Sequence, residues 1–224
     1  MIDRTADCIA PLSADLRPVV PVPLPVVQMR RWVVAGGVAL AAAIAVGIRG
    51  DWSSALVAWP VIGRTVVLAL VAASGAWAAL RLATPGEAVP RAAAWPLAFA
   101  LIWLAWVGTE VVWSSSTGAA GAVGFGWRCI VRAVAGAAVP GAVLLVMVRR
   151  AMPLATMPTA VALAASTAAV GELAAEWMCP NMQAMHLFAW HAVPVILVVG
   201  AATTFAAALV GRIAPARRTH GRQW

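Results

Sequence analysis

The sequence predicts an all-α integral membrane protein, a bundle of six transmembrane helices preceded by a short amphipathic helix, and three observations carry that prediction. Of 224 residues, 63% are hydrophobic and 11% charged, against roughly 45–50% and about 25% in soluble domains. The apolar residues gather into six runs, each close to the roughly 17–25 residues that cross a bilayer as a helix. The basic residues, sixteen Arg and no Lys, fall mainly at the ends of those runs, where topology signals belong.

Residues 1–31 form the one sizeable polar segment. Ile2, Ala6, Ile9, Leu12 and Leu16 recur at helical spacing on one face, opposite Arg4, Asp7 and Asp15, so a short amphipathic helix is expected. Pro11 interrupts it, and Pro18, Pro21, Pro23 and Pro25 favour an extended spacer. The acidic, Pro-rich start is unlike a secretory signal, which reaches its apolar core at once.

The six runs are Trp32–Ile48, Trp59–Leu82, Ala92–Trp113, Cys129–Val148, Pro158–Trp177 and Leu187–Val210. Trp32, Trp59, Trp95, Trp113, Trp127, Trp177 and Trp190 lie near their ends, as an interfacial aromatic belt requires. Small residues such as Gly36, Gly37, Ser74, Gly75, Gly136 and Gly141 favour close helix packing. The connection 114–126 is small, uncharged and linker-like. Residues 211–224 make a basic C-terminal tail, so the chain divides into 1–31, 32–210 and 211–224. Twelve Arg fall on the side of the termini and four (Arg49, Arg64, Arg128, Arg132) on the other. The positive-inside rule then puts both termini in the cytoplasm and the ends bearing Cys129 and Cys179 outside.

Chemistry is concentrated in Gly171–His191, where Glu172, Glu176, Cys179, His186, Trp190 and His191 crowd together. Ionisable groups at a bilayer edge are costly unless they face protein or water, which marks a functional site; a polar turn between two spans also has to carry some polar residues. Cys129 opens the fourth span and Cys179 closes the fifth, so neighbouring spans would bring the thiols together. With Glu176, His186 and His191 they could form a disulfide or bind a soft or borderline metal such as zinc or copper. The alternative is that each Cys is a small buried hydrophobe. His186 and His191 stand five apart, a spacing that puts them on different faces of a regular helix and argues against a two-His haem.

Other classes are excluded or weakly supported. No Lys means no phosphate-binding loop, and no H-E-x-x-H or C-x-x-C is present. The scattered Arg do not form a nucleic-acid patch, so no direct nucleic-acid binding is expected. The central turns of the spans carry no charge, so transport is weakly supported.

Four stretches resemble the NrsF-type six-helix membrane anti-sigma factors of bacteria. They are Leu12-Ser13-Ala14-Asp15-Leu16-Arg17-Pro18-Val19 in the tail, Arg81-Leu82-Ala83-Thr84-Pro85-Gly86 and Arg149-Arg150-Ala151-Met152-Pro153 with Pro158 in the inner loops, and Cys179-Pro180 with His186 and Trp190-His191, partnered by Trp127-Arg128-Cys129. The resemblance implies a non-enzymatic regulator in the bacterial inner membrane, in contact with membrane lipid. Its tail (Ile2, Ile9, Leu12, Asp15, Leu16, Arg17) would hold an extracytoplasmic-function (ECF) sigma factor inactive. A signal, whether envelope stress, oxidant, metal, or light and singlet oxygen as for a light-responsive member of similar layout, would act through Cys129, Cys179, Glu176, His186 and His191. Pro11 departs from an uninterrupted tail helix. No cofactor is expected beyond a metal that Cys129, Cys179, His186 and His191 could hold. The alternative is a membrane redox or metal-handling protein for which the tail is incidental.

Overall fold

The structure, a computed structural model, describes residues 9, 13, 21–84, 89–119, 121–151, 153 and 155–213. Helix α1 spans Pro25–Gly47, α2 is the single turn Trp52–Ala55, α3 spans Trp59–Leu82, α4 Val89–Ser116, α5 Trp127–Ala151 and α6 Thr156–Met178. The last helix, α7, runs Ala184–Leu187, takes a π turn over Phe188–Ala192 and continues as Val193–Ile213. No strand occurs among the described residues, and six helices are long and apolar enough to cross a membrane.

Each apolar run became a helix, with ends displaced by a few residues. The largest displacement is at α1, which begins at Pro25, inside the stretch expected to be an extended spacer. Proline is favoured in the first turn of a helix, where its missing N–H had no partner to lose. The spacer therefore ends at Leu24, and the Gln28 side-chain amide donates to Pro23 O at 2.7 Å, tying spacer to helix. Of the tail face, Ile9 is helical and 56% exposed. Ile2, Leu12, Asp15, Leu16 and Arg17 lie outside the described residues, as do residues 214–224 of the C-terminal tail.

Helix α6 is the centre of the bundle, packed against α3, α5 and α7 and also touching α1 and α4. Its sequence explains this position. Ala162, Ala164, Ser166, Ala169, Gly171, Ala174 and Ala175 are all buried and small, so neighbouring backbones approach closely, which is how helices gain contact where hydrocarbon gives no hydrophobic drive. A Cβ on Gly171 would run into the Ala133 carbonyl of α5 and lie 3.0 Å from Ala137 Cβ. Buried hydrogen bonds fix the register: Ser166 Oγ donates to Ala72 O at 2.8 Å, and Trp32 Nε1 to Pro140 O at 3.1 Å.

Gly171→Val is accordingly expected to force α5 and α6 apart at a cost of about 1–3 kcal/mol. The readout is the yield of a Cys129–Cys179 crosslink under mild oxidant, which should drop sharply. A wild-type yield would mean that the crossing tolerates the bulk.

Candidate functional site

The residues flanking the two cysteines dictate where their thiols go. Cys179 follows the last residue of α6 and precedes Pro180; a residue before proline is pushed out of the helical region, and Cys179 is extended at φ −89°, ψ 123°. The exposed carbonyls at this end of α6 are taken by groups from elsewhere. The Arg49 backbone N–H donates to Trp177 O at 3.1 Å, and the Arg132 guanidinium donates to Met178 O. Cys129 sits in the first turn of α5, its N–H on Gly126 O at 2.8 Å.

Five residues along a regular α-helix turn roughly 140° about its axis, which is why His186 and His191 were expected on different faces. The π turn at Phe188–Ala192 overturns that expectation. Its wider i→i+5 repeat brings the two imidazoles to one side, with ring centroids 5.7 Å apart.

The result is a compact cluster. Cys129 Sγ donates to Cys179 Sγ at 3.1 Å, and His186 Nε2 lies 3.6 Å and 3.5 Å from the two sulfurs. One ligand atom from each of Cys129, Cys179, His186 and His191 falls within 4.8 Å of all the others. None of the four residues is more than 4% exposed. The hydrogen bond from Cys129 holds the Cys179 thiol well below the ordinary thiol range, against the opposing effect of burial. Each imidazole is oriented from behind: His186 Nδ1 lies 3.0 Å from Val123 O, and His191 Nδ1 2.5 Å from Glu172 Oε1. His191 Nε2 is buried with no hydrogen-bond partner among the described residues. Imidazoles anchored at Nδ1 by a carbonyl or carboxylate, with Nε2 left toward soft donors, have the form of metal-ligating histidines.

The 114–126 connection does more than link. Gly118, Gly121 and Gly124 adopt positive φ, which only glycine does at no steric cost. The resulting turns present Val123 O to His186 and Gly124 O to Trp190 Nε1 at 2.9 Å.

Glu176, grouped with the cysteines in the sequence, is directed elsewhere. Arg64 Nε donates to Glu176 Oε1 at 2.8 Å, while Arg64 Nη1 reaches both oxygens of Glu110 at 2.6 and 2.8 Å. Trp106 Nε1 adds a third bond to Glu110 at 2.8 Å. Glu172, one turn earlier on α6, is the carboxylate that reaches the cluster. Between the two networks lies a void of about 10 Å³ lined by Arg64, Trp103, Glu172, Glu176 and His191. Arg64 and Glu110 also form the floor of an open cleft of about 870 Å³, bordered by Trp113, Asn181 and Met182.

Sequence reasoning counted Arg64, Arg49 and Arg132 as topology charges and did not single out Glu110. A signal was present: Arg64 and Glu110 each interrupt an apolar run within about one turn and a half of the same end, and charges at similar depth in two spans pair.

Fold and site together define a six-helix bundle of membrane-spanning proportions with a buried two-thiol, two-imidazole centre at one end. The family described as NrsF, negative regulator of sigma F, matches residues 12–212, and the chain belongs to that family. It is therefore a negative regulator of a sigma factor, as the four motifs of the sequence implied. No curated protein and no solved structure matches the chain.

Proposed function

We propose that the chain is an inner-membrane anti-sigma factor whose cytoplasmic N-terminal tail sequesters an ECF sigma factor and whose outer-edge cluster receives the releasing signal. The observation that carries the sensing half is the convergence of Cys129 from α5, Cys179 from the turn that follows α6, and His186 and His191 from α7. The carrying argument for topology is the Arg asymmetry. Arg49, Arg64 and Arg132, three of the four Arg assigned outside, are tied to Asp51, to Glu110 and Glu176, and to Met178 O, so they have structural roles and do not weaken the inward bias.

Two chemistries fit the centre. A divalent thiophilic cation would bind both sulfurs as thiolates and displace whatever protons the pair holds, with His186 and His191 completing an S₂N₂ set. A two-electron oxidant would instead join the sulfurs, carry off both electrons and release the same protons. Either event ties the first turn of α5 to the end of α6. Holding a sigma factor needs no catalytic group, since an apolar helix face laid against a partner suffices.

The S₂N₂ donor set also suits a metal-handling protein with no sigma partner, and tail variants separate the two readings. Deleting residues 1–28, or replacing Leu12 and Leu16 together by Asp, should derepress the target promoter fully, because charge on the docking face loses apolar contact and is desolvated unpaired. Full repression by both variants would rule out the tail as the docking element. For topology, a reporter active only in the periplasm and fused after Trp224 is expected to be silent; activity there would invert the assignment.

A further inference from the structure

At the end of the bundle away from the cysteines, α1 and α5 enclose a groove of about 360 Å³. Its mouth is formed by Pro23, Arg31 and Arg150, and its wall by Val143, Val146 and Met147. The seam between the two helices is closed further in, where Trp32 Nε1 bonds Pro140 O and Gly36 faces the Pro140 ring. The groove is therefore a notch with a packed floor.

We infer that this notch is a binding site for one anionic phospholipid, with the headgroup phosphate between Arg31 and Arg150 and an acyl chain along Val143, Val146 and Met147. The inference rests on the membrane-embedded reading above, but not on the sigma factor or on the signal.

Charge and depth select the occupant. Both Arg are exposed, and the four described carboxylates are all at the other end, Asp51 with Arg49, Glu110 and Glu176 with Arg64, and Glu172 with His191. Among the described residues no carboxylate neutralises the mouth, which leaves the two Arg open to an anion from the bilayer. The wall extends from Arg150 back to Val143, roughly 10 Å along the helix, which places its far end among acyl chains. An extended peptide segment entering to that depth would carry backbone groups that hydrocarbon cannot satisfy; a lipid offers an anion and a chain in the required order. Basic notches between helices on the cytoplasmic side are suited to such headgroups. The lipid would brace α1, which leads out of the tail, against α5, which carries Cys129.

The test is native mass spectrometry of the full chain in mild detergent with equal amounts of phosphatidylglycerol and phosphatidylcholine. One phosphatidylglycerol should be retained preferentially, and Arg31→Gln/Arg150→Gln should reduce that adduct about tenfold. Val146→Trp, which fills the notch without altering charge, should reduce it as well, while Arg30→Gln/Arg149→Gln, which removes two neighbouring charges outside the notch, should not. An equal loss in both Arg pairs would reveal a diffuse basic belt and overturn the site, as would equal retention of the two lipids. Displacement by soluble glycerol phosphate would overturn it in favour of a free-phosphate site. A tenfold gain on deleting residues 1–20 would overturn it in favour of the tail. Sigma-factor binding measured on the same samples separates the two failures: a lost lipid preference with intact sigma binding removes the site alone.

Discussion

Arg64→Met should cost about 3–5 kcal/mol, the range for removing one partner of a buried ion pair, and should sharply lower both the thermal stability of the solubilised protein and its level in the membrane. Arg64 is 5% exposed and serves two carboxylates, of which Glu176 is 2% exposed. Its loss leaves both without a counter-charge. It also leaves Glu176 without a partner for either oxygen, since Glu176 Oε2 already lacks one among the described residues. Arg64→Lys should recover only part of the loss, because a compact ammonium cannot reproduce the fork that bonds Glu176 through Nε and Glu110 through Nη1. The discriminating variant is the triple Arg64→Met/Glu110→Gln/Glu176→Gln, which removes all three charges and should regain most of the stability. If the triple is as unstable as Arg64→Met, the single variant failed through lost packing and not through unpaired charge.

That network also marks the limit of what the sequence revealed. The six helices were legible because hydrocarbon demands a long apolar run for each crossing and the composition leaves no alternative. Helix ends were less so, since Pro25 reads equally as the last residue of a spacer and the first of a helix. The approach of Cys129 to Cys179 followed from one argument, that adjacent spans end at one membrane face. The position of His191 could not follow, because it depends on a π turn, and no side-chain pattern in Phe188–Ala192 announces one. The roles of Val123 and Gly124 were hidden for a related reason: a glycine-rich connection reads as flexible until the carbonyls it presents have partners. Glu172 and Glu176 lie one turn apart on α6 with similar surroundings in sequence, and only the positions of α3 and α7 assign one to Arg64 and the other to His191.

Cys129→Ser and Cys179→Ser are each expected to abolish induction by thiophilic metal or oxidant while leaving basal repression in place. The His186 imidazole nitrogen lies 3.5–3.6 Å from the two sulfurs, close to the roughly 3.6 Å sulfur–nitrogen edge of a tetrahedron with zinc-type bond lengths, and the sulfurs, 3.1 Å apart, would separate to about 3.8 Å around such an ion. Removing one sulfur leaves neither a dithiolate nor a disulfide available. Glu172→Gln should be milder, weakening metal affinity by about 10–100-fold through the orientation of His191, and the same variant should still form the disulfide. The constraint has a route to the tail. The first turn of α5 carries Cys129, and the same helix meets α6 at Gly136 and Gly171 and α1 at Pro140 and Trp32, so a shift of its first turn bears directly on the helix that leads out of the tail. Passing a signal along it requires two discrete settings of α5, and these can be sought as two crosslinking patterns between α1 and α5 with and without zinc. Promoter output in both Cys variants, with membrane levels checked by blot, is the measurement that decides. Unchanged induction by every metal and oxidant tested would reduce the pair to packing residues and leave the polar cluster without a sensing role.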